Sequence, residues 1–286
     1  MAALAETCSN NALERRKKAL AIVQAASDRY HGSVGPRGAA VPTGCVDSAL
    51  PRGGLERGAV HEWIGVDEPE GESQLGRGHT GRTARWAPPL TLLVQIARQS
   101  LAGNESDAAH VVWIGQRIWP YAPVLDQRSG AWASGPCDLL AASLFVQAQT
   151  VRERVWAADL ALRSRGVASV VVDGSGFDLP ATRRLQLAAE AGGSLCLLAR
   201  PPWEQSVLSA ANTRWVVRCC PTFTTSRRWT VELLRCKGVQ PAGQAASSRL
   251  WILERDHATR HVAVVSDILG RPGQAEAQQA LARRTG

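Results

Sequence analysis

Long apolar runs separated by helix-period segments limit most strongly how this chain can fold. Gly58-Ala-Val-His-Glu-Trp-Ile-Gly65, His110-Val-Val-Trp-Ile-Gly115, Val167-Ala-Ser-Val-Val-Val-Asp173 and Ser194-Leu-Cys-Leu-Leu-Ala199 lack a regular polar face, as expected of strands covered on both sides. Helices are expected between them. Pro88 opens one that reaches about Ser100, with Leu90, Leu93, Val94 and Ala97 on one face. Another follows a loop holding Trp119, Pro120 and Pro123, ahead of the short strand Leu144-Phe-Val146. Glu153 to Arg165 repeats Val155, Trp156, Leu160 and Leu162 at helical spacing, and Leu179 to Ala191 is closed by Gly192-Gly193. Such alternation predicts right-handed crossovers and an α/β core, a mainly parallel sheet flanked by helices. Helices stop at about Thr213. Four further strands, near 214–219, 228–235, 249–254 and 261–266, predict an antiparallel C-terminal extension.

The turn after the first strand is where a nucleotide-binding α/β protein cradles phosphates, on backbone N–H groups at a helix start. The best match to that motif is Gly76-Arg-Gly-His-Thr-Gly81-Arg82-Thr83, with both glycines and the terminal hydroxyl but Arg where the motif has Lys. Val66 to Leu75 intervene, rich in Asp, Glu, Gly and Pro, and Pro88-Pro89 block a helix running on from Thr83. A planar guanidinium copies a compact ammonium poorly in a tight nest. Gly76, Gly81, Arg82 and Thr83, with Asp173 at the end of the central strand, therefore read as a degenerate nucleotide site, with no catalytic residue and no ATP or Mg²⁺ cofactor. Asp173 is read as a cap on the loop Gly174-Ser-Gly-Phe177 in preference to a Mg²⁺ ligand. Gly174-Ser175-Gly176 lacks the spacing of a nucleophile elbow.

The chain is 45% hydrophobic and 20% charged over 286 residues, which places it among globular proteins. No apolar run reaches the roughly 18–20 residues of a membrane span, and the first residues do not read as a secretory signal. A cytoplasmic protein away from membranes is expected. Seven cysteines lack repeated C-x-x-C spacing, and Cys196, Cys219, Cys220 and Cys236 lie in or beside apolar runs, so they read as free, buried thiols. His257-x-x-x-His261 straddles an expected hairpin turn, and no metal site is assigned. The net charge of +8 and pI near 9.6 favour acidic partners, DNA among them.

The densest basic run, Arg15-Arg16-Lys17-Lys18, lies on an expected helix from Asn11 to about Tyr30, opposite a stripe that includes Leu13, Leu20 and Val23. His31 to Ala40 is a glycine-proline tether. Residues 1–41 thus read as a tethered basic helix free to dock elsewhere, 42–268 as the core domain and 269–286 as a frayed tail. Thr43 to Leu50 is expected to be a short helix. Of ten tryptophans, Trp113, Trp156, Trp229 and Trp251 sit in apolar runs and are expected to be packed. Trp86, Trp119, Trp132 and Trp203 fall in loops beside Pro or Gly and are candidates for partner contact.

The element order and several runs resemble the RecA recombinases and, more closely, the ImuA family. The runs are Lys17-Lys18-Ala-Leu20 with its tether, Thr43-Gly44, Val46-Asp-Ser-Ala-Leu50, Gly53-Gly54-Leu55, Trp156-Ala-Ala-Asp-Leu-Ala-Leu-Arg163 and Arg183-Arg-Leu-Gln-Leu-Ala-Ala-Glu190. The resemblance covers about residues 12 to 267 and implies a RecA-like, P-loop-type fold. Where the family's ATPases place a catalytic carboxylate, this chain reads Gly115-Gln116-Arg117. It implies a non-catalytic accessory of SOS mutagenesis and translesion synthesis. Implied partners are RecA, an ImuB-like inactive Y-family polymerase subunit and an error-prone replicative-type DNA polymerase, contacted through Arg15, Arg16, Lys17, Lys18, Leu20, Val23, Trp119 and Trp132. The alternatives are a DNA-binding RecA-type ATPase with an atypical phosphate loop, and a RecA-like cell-division inhibitor.

Overall fold

A computed structural model describes residues 40–67, 86–102, 109–125, 138–220, 226–237, 249–255 and 262–268. Among the described residues, two small ladders precede the first α-helix. β1 (Ala40–Val41) pairs antiparallel with β2 (Leu55–Glu56); after β3 (Ala59–Ile64), β4 (Val66–Asp67) pairs antiparallel with β5 (Trp86–Ala87). Then come α1 (Leu90–Ala102), β6 (His110–Ile114), the short α2 (Ala122–Leu125), β7 (Ser143–Val146), α3 (Val151–Arg163), β8 (Val167–Asp173), α4 (Leu179–Gly192) and β9 (Leu195–Arg200). β10 (Thr213–Cys220), β11 (Arg228–Cys236), β12 (Arg249–Arg255) and β13 (Val262–Ile268) follow.

One sheet runs β13-β12-β11-β10-β3-β9-β8-β6-β7. From β10 to β7 every pairing is parallel, and from β10 to β13 every pairing is antiparallel. This is an α/β protein with a mostly parallel sheet, compatible with a RecA-like core. The strand at Thr213 belongs to the parallel part as well as the extension, because Trp215 and Val216 lie in register with Trp63 and Ile64 of β3. A strand's own residues do not encode which neighbour it takes, so pattern alone placed it with the extension.

Both faces of the central strands are covered, which is why these strands are mostly apolar. Trp63, Trp113, Val171, Leu197, Trp215 and Trp251 share one core with Leu93, Ile96 and Ala97 of α1. The Trp63 and Trp215 rings stack 5.3 Å apart at 7°, and Trp215 meets Trp251 at 6.1 Å. The opposite core joins Val60, Val112, Val170, Val172 and Leu198 to α3 and α4 through Leu185 and through Ala158, Ala161, Ala188 and Ala189, whose small side chains let the helices lie close. Local signals fix the helix ends. Thr150 and Glu153 form a capping box on α3, Asp178 caps α4 through the Ala181 N–H, and Gly193 ends α4 at φ 71°.

Several expectations require correction. Residues 43–50 form only a 3-10 turn at Asp47–Ala49, because Asp47 accepts from the Thr43 N–H and hydroxyl and the Gly44 N–H, a local bonding pattern that competes with helix. Pro123 lies inside α2, not in the loop before a helix. Trp156 is 50% exposed on the outer side of α3, whereas Trp86 is 4% exposed beneath the sheet. Of the cysteines read as buried, Cys196 is, Cys219 is exposed, and Cys220 and Cys236 are half-buried. Burial pushes the Cys196 thiol well above its ordinary value. The expected helix at 11–30, residues 31–39 of the tether, the tail, and His257 and His261 lie outside the described residues, whereas Ala40 and Val41, expected at the end of the tethered segment, form β1 and Val41 is buried in the core.

His61 sits inside the tryptophan-lined core with no solvent contact. The Trp215 indole N–H donates to Thr213 Oγ1 (2.8 Å), whose hydroxyl donates to His61 Nδ1 (2.8 Å), and His61 Nε2–H donates to the Glu56 carbonyl (2.9 Å). That chain satisfies the neutral ring. Burial lowers its pKa from 6.5 to about 4. The unfolded chain takes up this proton below about pH 6.5 and the folded chain only near pH 4, so His61 costs no stability above pH 6.5. Stability falls as the pH drops from 6.5 toward 4, by up to about 1.4 kcal/mol per pH unit. Denaturant titrations at several pH values are expected to show this slope and its flattening in His61→Gln; an unchanged slope in the variant would contradict the assignment.

Candidate functional site

At the carboxyl ends of β3, β8 and β9, charge enters an otherwise apolar sheet. Glu62 and Arg200 occupy neighbouring strands on the face covered by α3 and α4, and neither side chain meets solvent. Arg200 Nη1 donates to Glu62 Oε1 (3.0 Å), Nε and Nη2 donate to Glu204 Oε2 (3.0 and 2.7 Å), and Nη2 also donates to the Phe177 carbonyl (2.7 Å). The second Glu62 oxygen accepts from Arg214 Nε on β10 (2.6 Å). Desolvated charges persist in a fold only when paired and hydrogen-bonded in this way.

Asp173 ends β8 beside this network. Its Oδ1 accepts from the Ser175 N–H (3.0 Å) and hydroxyl (2.5 Å), and its Oδ2 accepts from Arg154 Nη1 of α3 (3.0 Å). Arg154 Nη2 donates to the Ser175 carbonyl (2.6 Å), and Arg117 Nε lies 3.8 Å from the same Oδ2. Arg117 also rests over the Trp86 ring at 5.5 Å, and Arg154 over the Phe177 ring at 5.8 Å. The loop 174–177 is therefore held from both sides, since the Gly176 N–H donates to Glu204 Oε1 (2.8 Å). Asp173 caps this loop. A carboxylate offers about four lone-pair positions; three hydrogen bonds and a second guanidinium already face them here.

Gly115 explains how the two side chains come so close. Its φ is 94°, and a Cβ there would lie 3.0 Å from Asp173 Cβ and 3.3 Å from Arg154 Cδ. Glycine is the residue that tolerates both the conformation and the crowding. The turn after β3 has its own arrangement. The chain does not pass directly from β3 into a helix: Val66 and Asp67 pair with Ala87 and Trp86, and α1 begins only at Leu90.

Among the expected site residues, Asp173 is placed in the network above, and Trp119 is half-buried with its ring edge-on to Phe145 at 5.8 Å. Gly76, Gly81, Arg82, Thr83, Arg15, Arg16, Lys17, Lys18, Leu20, Val23 and Trp132 lie outside the described residues. Glu62, Arg154, Arg200, Glu204 and Arg214 were not singled out by sequence reasoning. One signal was there: a Glu inside Ala-Val-His-Glu-Trp-Ile and an Arg closing Leu-Cys-Leu-Leu-Ala-Arg are unpaired costs in buried strands unless the two strands adjoin.

No protein-family profile matches the chain. Among curated proteins, two similar relatives are both named Protein ImuA, from Caulobacter vibrioides strains NA1000 / CB15N and ATCC 19089 / CIP 103742 / CB 15. Each is 30% identical over 229 residues, covering 74% of this chain and 81% of the relative.

The buried pair gives a direct stability test. Arg200→Met leaves Glu62 and Glu204 short of their shared donor and is expected to cost about 3–5 kcal/mol, with Arg200→Lys failing to restore more than part because it cannot fork between two carboxylates. Chemical denaturation followed by tryptophan fluorescence reads both; a cost under about 1 kcal/mol would mean the pair contributes as a surface pair does.

Proposed function

The chain belongs to the ImuA family, and from that premise we propose that it is a non-catalytic accessory protein of DNA-damage-induced mutagenesis. It acts in SOS-linked translesion synthesis by binding RecA, an ImuB-like inactive Y-family polymerase subunit, or both, and so helps bring an error-prone replicative-type DNA polymerase to lesions. Family membership is the observation that carries this reading.

The site geometry supports the non-catalytic part. Asp173 is engaged by Ser175 and Arg154, and Gly115-Gln116-Arg117 offers no carboxylate after β6. The fold is a RecA-like core of P-loop type that has kept its sheet and lost its chemistry, working without ATP or Mg²⁺. The ladder between β4 and β5 supports this, since it occupies the turn that a phosphate cradle would need. The residues ahead of β1, 1–39, serve as the docking arm, with Arg15, Arg16, Lys17 and Lys18 as its charged side and Leu20 and Val23 as its apolar side. Trp119 and Trp132 add contacts from the core, the basic surface tolerates DNA, and the protein works in the cytoplasm. No helix among the described residues is long and apolar enough to cross a membrane.

Affinity capture with the full chain tests the reading. Purified chain is expected to retain RecA or the ImuB-like subunit, deletion of 1–39, which leaves β1 in place, is expected to lower that capture at least about tenfold, equivalent to about 1.4 kcal/mol, and loss of the chain is expected to lower damage-induced mutation frequency in the cell. Capture of neither protein, together with DNA-stimulated ATP hydrolysis, would instead favour the ATPase alternative. A division arrest with unchanged mutation frequency would favour the cell-division inhibitor.

A further inference from the structure

Nucleotide-handling α/β proteins give the carboxylate at this position to a divalent metal, and Arg154 stands against that assignment here. We propose that Arg154 is a built-in counter-ion. Its guanidinium takes the place, in charge and in space, that a divalent cation would take at Asp173, and it sets the loop 174–177 in one conformation without cation or nucleotide. This deepens the non-catalytic part of the function proposed above and is independent of which partner is bound, so its failure leaves the capture experiment standing.

Five observations carry it. Asp173, Ser175 and Arg154 close a ring: Ser175 donates twice to Oδ1, Arg154 donates to Oδ2, and the other arm of the guanidinium returns to the Ser175 carbonyl. A metal at Oδ2 would have to evict Arg154, leaving that carbonyl without its donor. The guanidinium is enclosed. Its side chain is 10% exposed, Phe177 lies across one face, and Nε has no acceptor, so leaving water for this site is offset only by the carboxylate and the carbonyl.

Gly115 provides the room, since any side chain there would push into Asp173 and the Arg154 stem. The capping box at Thr150 and Glu153 fixes the first turn of α3, the turn that carries Arg154. Arg117 adds a second positive group 3.8 Å from Oδ2. Two guanidinium groups facing one carboxylate make it a poor ligand for another cation.

Thermal unfolding of the full chain with EDTA or with about 10 mM MgCl₂ at matched ionic strength is the test, because any ligand of the folded state raises Tm. Wild-type Tm is expected to be the same in both, and calorimetric titration is expected to show no Mg²⁺ binding. Arg154→Ala is expected to lower Tm by roughly 6–15 °C, as loss of one partner of a buried pair does. Adding either Mg²⁺ or methylguanidinium is expected to recover part of that loss. The double variant Arg154→Ala/Asp173→Asn is expected to be more stable than Arg154→Ala, since it removes the stranded charge. Should Arg154→Ala fail to fold, folding of the double variant alone supports the proposal. Saturable Mg²⁺ binding by wild type that is lost in Asp173→Asn would overturn it, as would a double variant no more stable than the single.

Discussion

A guanidinium with no access to water is the constraint around which the carboxyl edge of this sheet is arranged. Removing Arg200 from solvent costs several kcal/mol unless every donor finds an acceptor. The acceptors come from β3, from the loop after β8 and from the 3-10 turn at Pro202–Glu204. These segments are distant in sequence, and one side chain fixes their mutual placement. Arg154 repeats the arrangement one strand away, joining α3 to β8 and to the same loop from its other side.

In open α/β sheets the carboxyl ends of the strands form the crevice where ligands bind. Here that edge is crossed by salt bridges between the protein's own groups, Glu62 with Arg200 and Arg214, and Asp173 with Arg154. The far face of the sheet is consolidated by aromatic stacking, with Trp63, Trp215 and Trp251 joining the parallel core to the antiparallel extension.

How much of this was legible depended on where the determining interaction lies. Apolar runs announced the central strands because both faces are buried, and Gly192-Gly193 marked the end of α4 because a left-handed cap is local; the caps Thr150 and Asp178 were not read from the sequence, and α3 starts at Val151, two residues before the expected Glu153. The neighbour of β10 was not legible, since pairing with β3 is decided across the sheet. Trp156 was misread because it falls within an apolar helical stretch but points outward, and Trp86 because a short ladder folds it under the sheet. Asp173 as a loop cap was readable from the Gly-Ser-Gly that follows it. Its partner Arg154 was not, because an arginine on a helix is ordinarily solvated, and only the crossover from β7 to β8 brings it over the end of the strand.

The account stands on Asp173 being held by its own chain. A crystal structure of the full chain grown with Mg²⁺ and a non-hydrolysable ATP analogue tests this most directly. The account predicts Arg154 Nη1 still on Oδ2, Ser175 still on Oδ1, and no nucleotide between β3 and β8. Magnesium on Asp173, with Arg154 swung away and phosphates bound at the turn after β3, would contradict it.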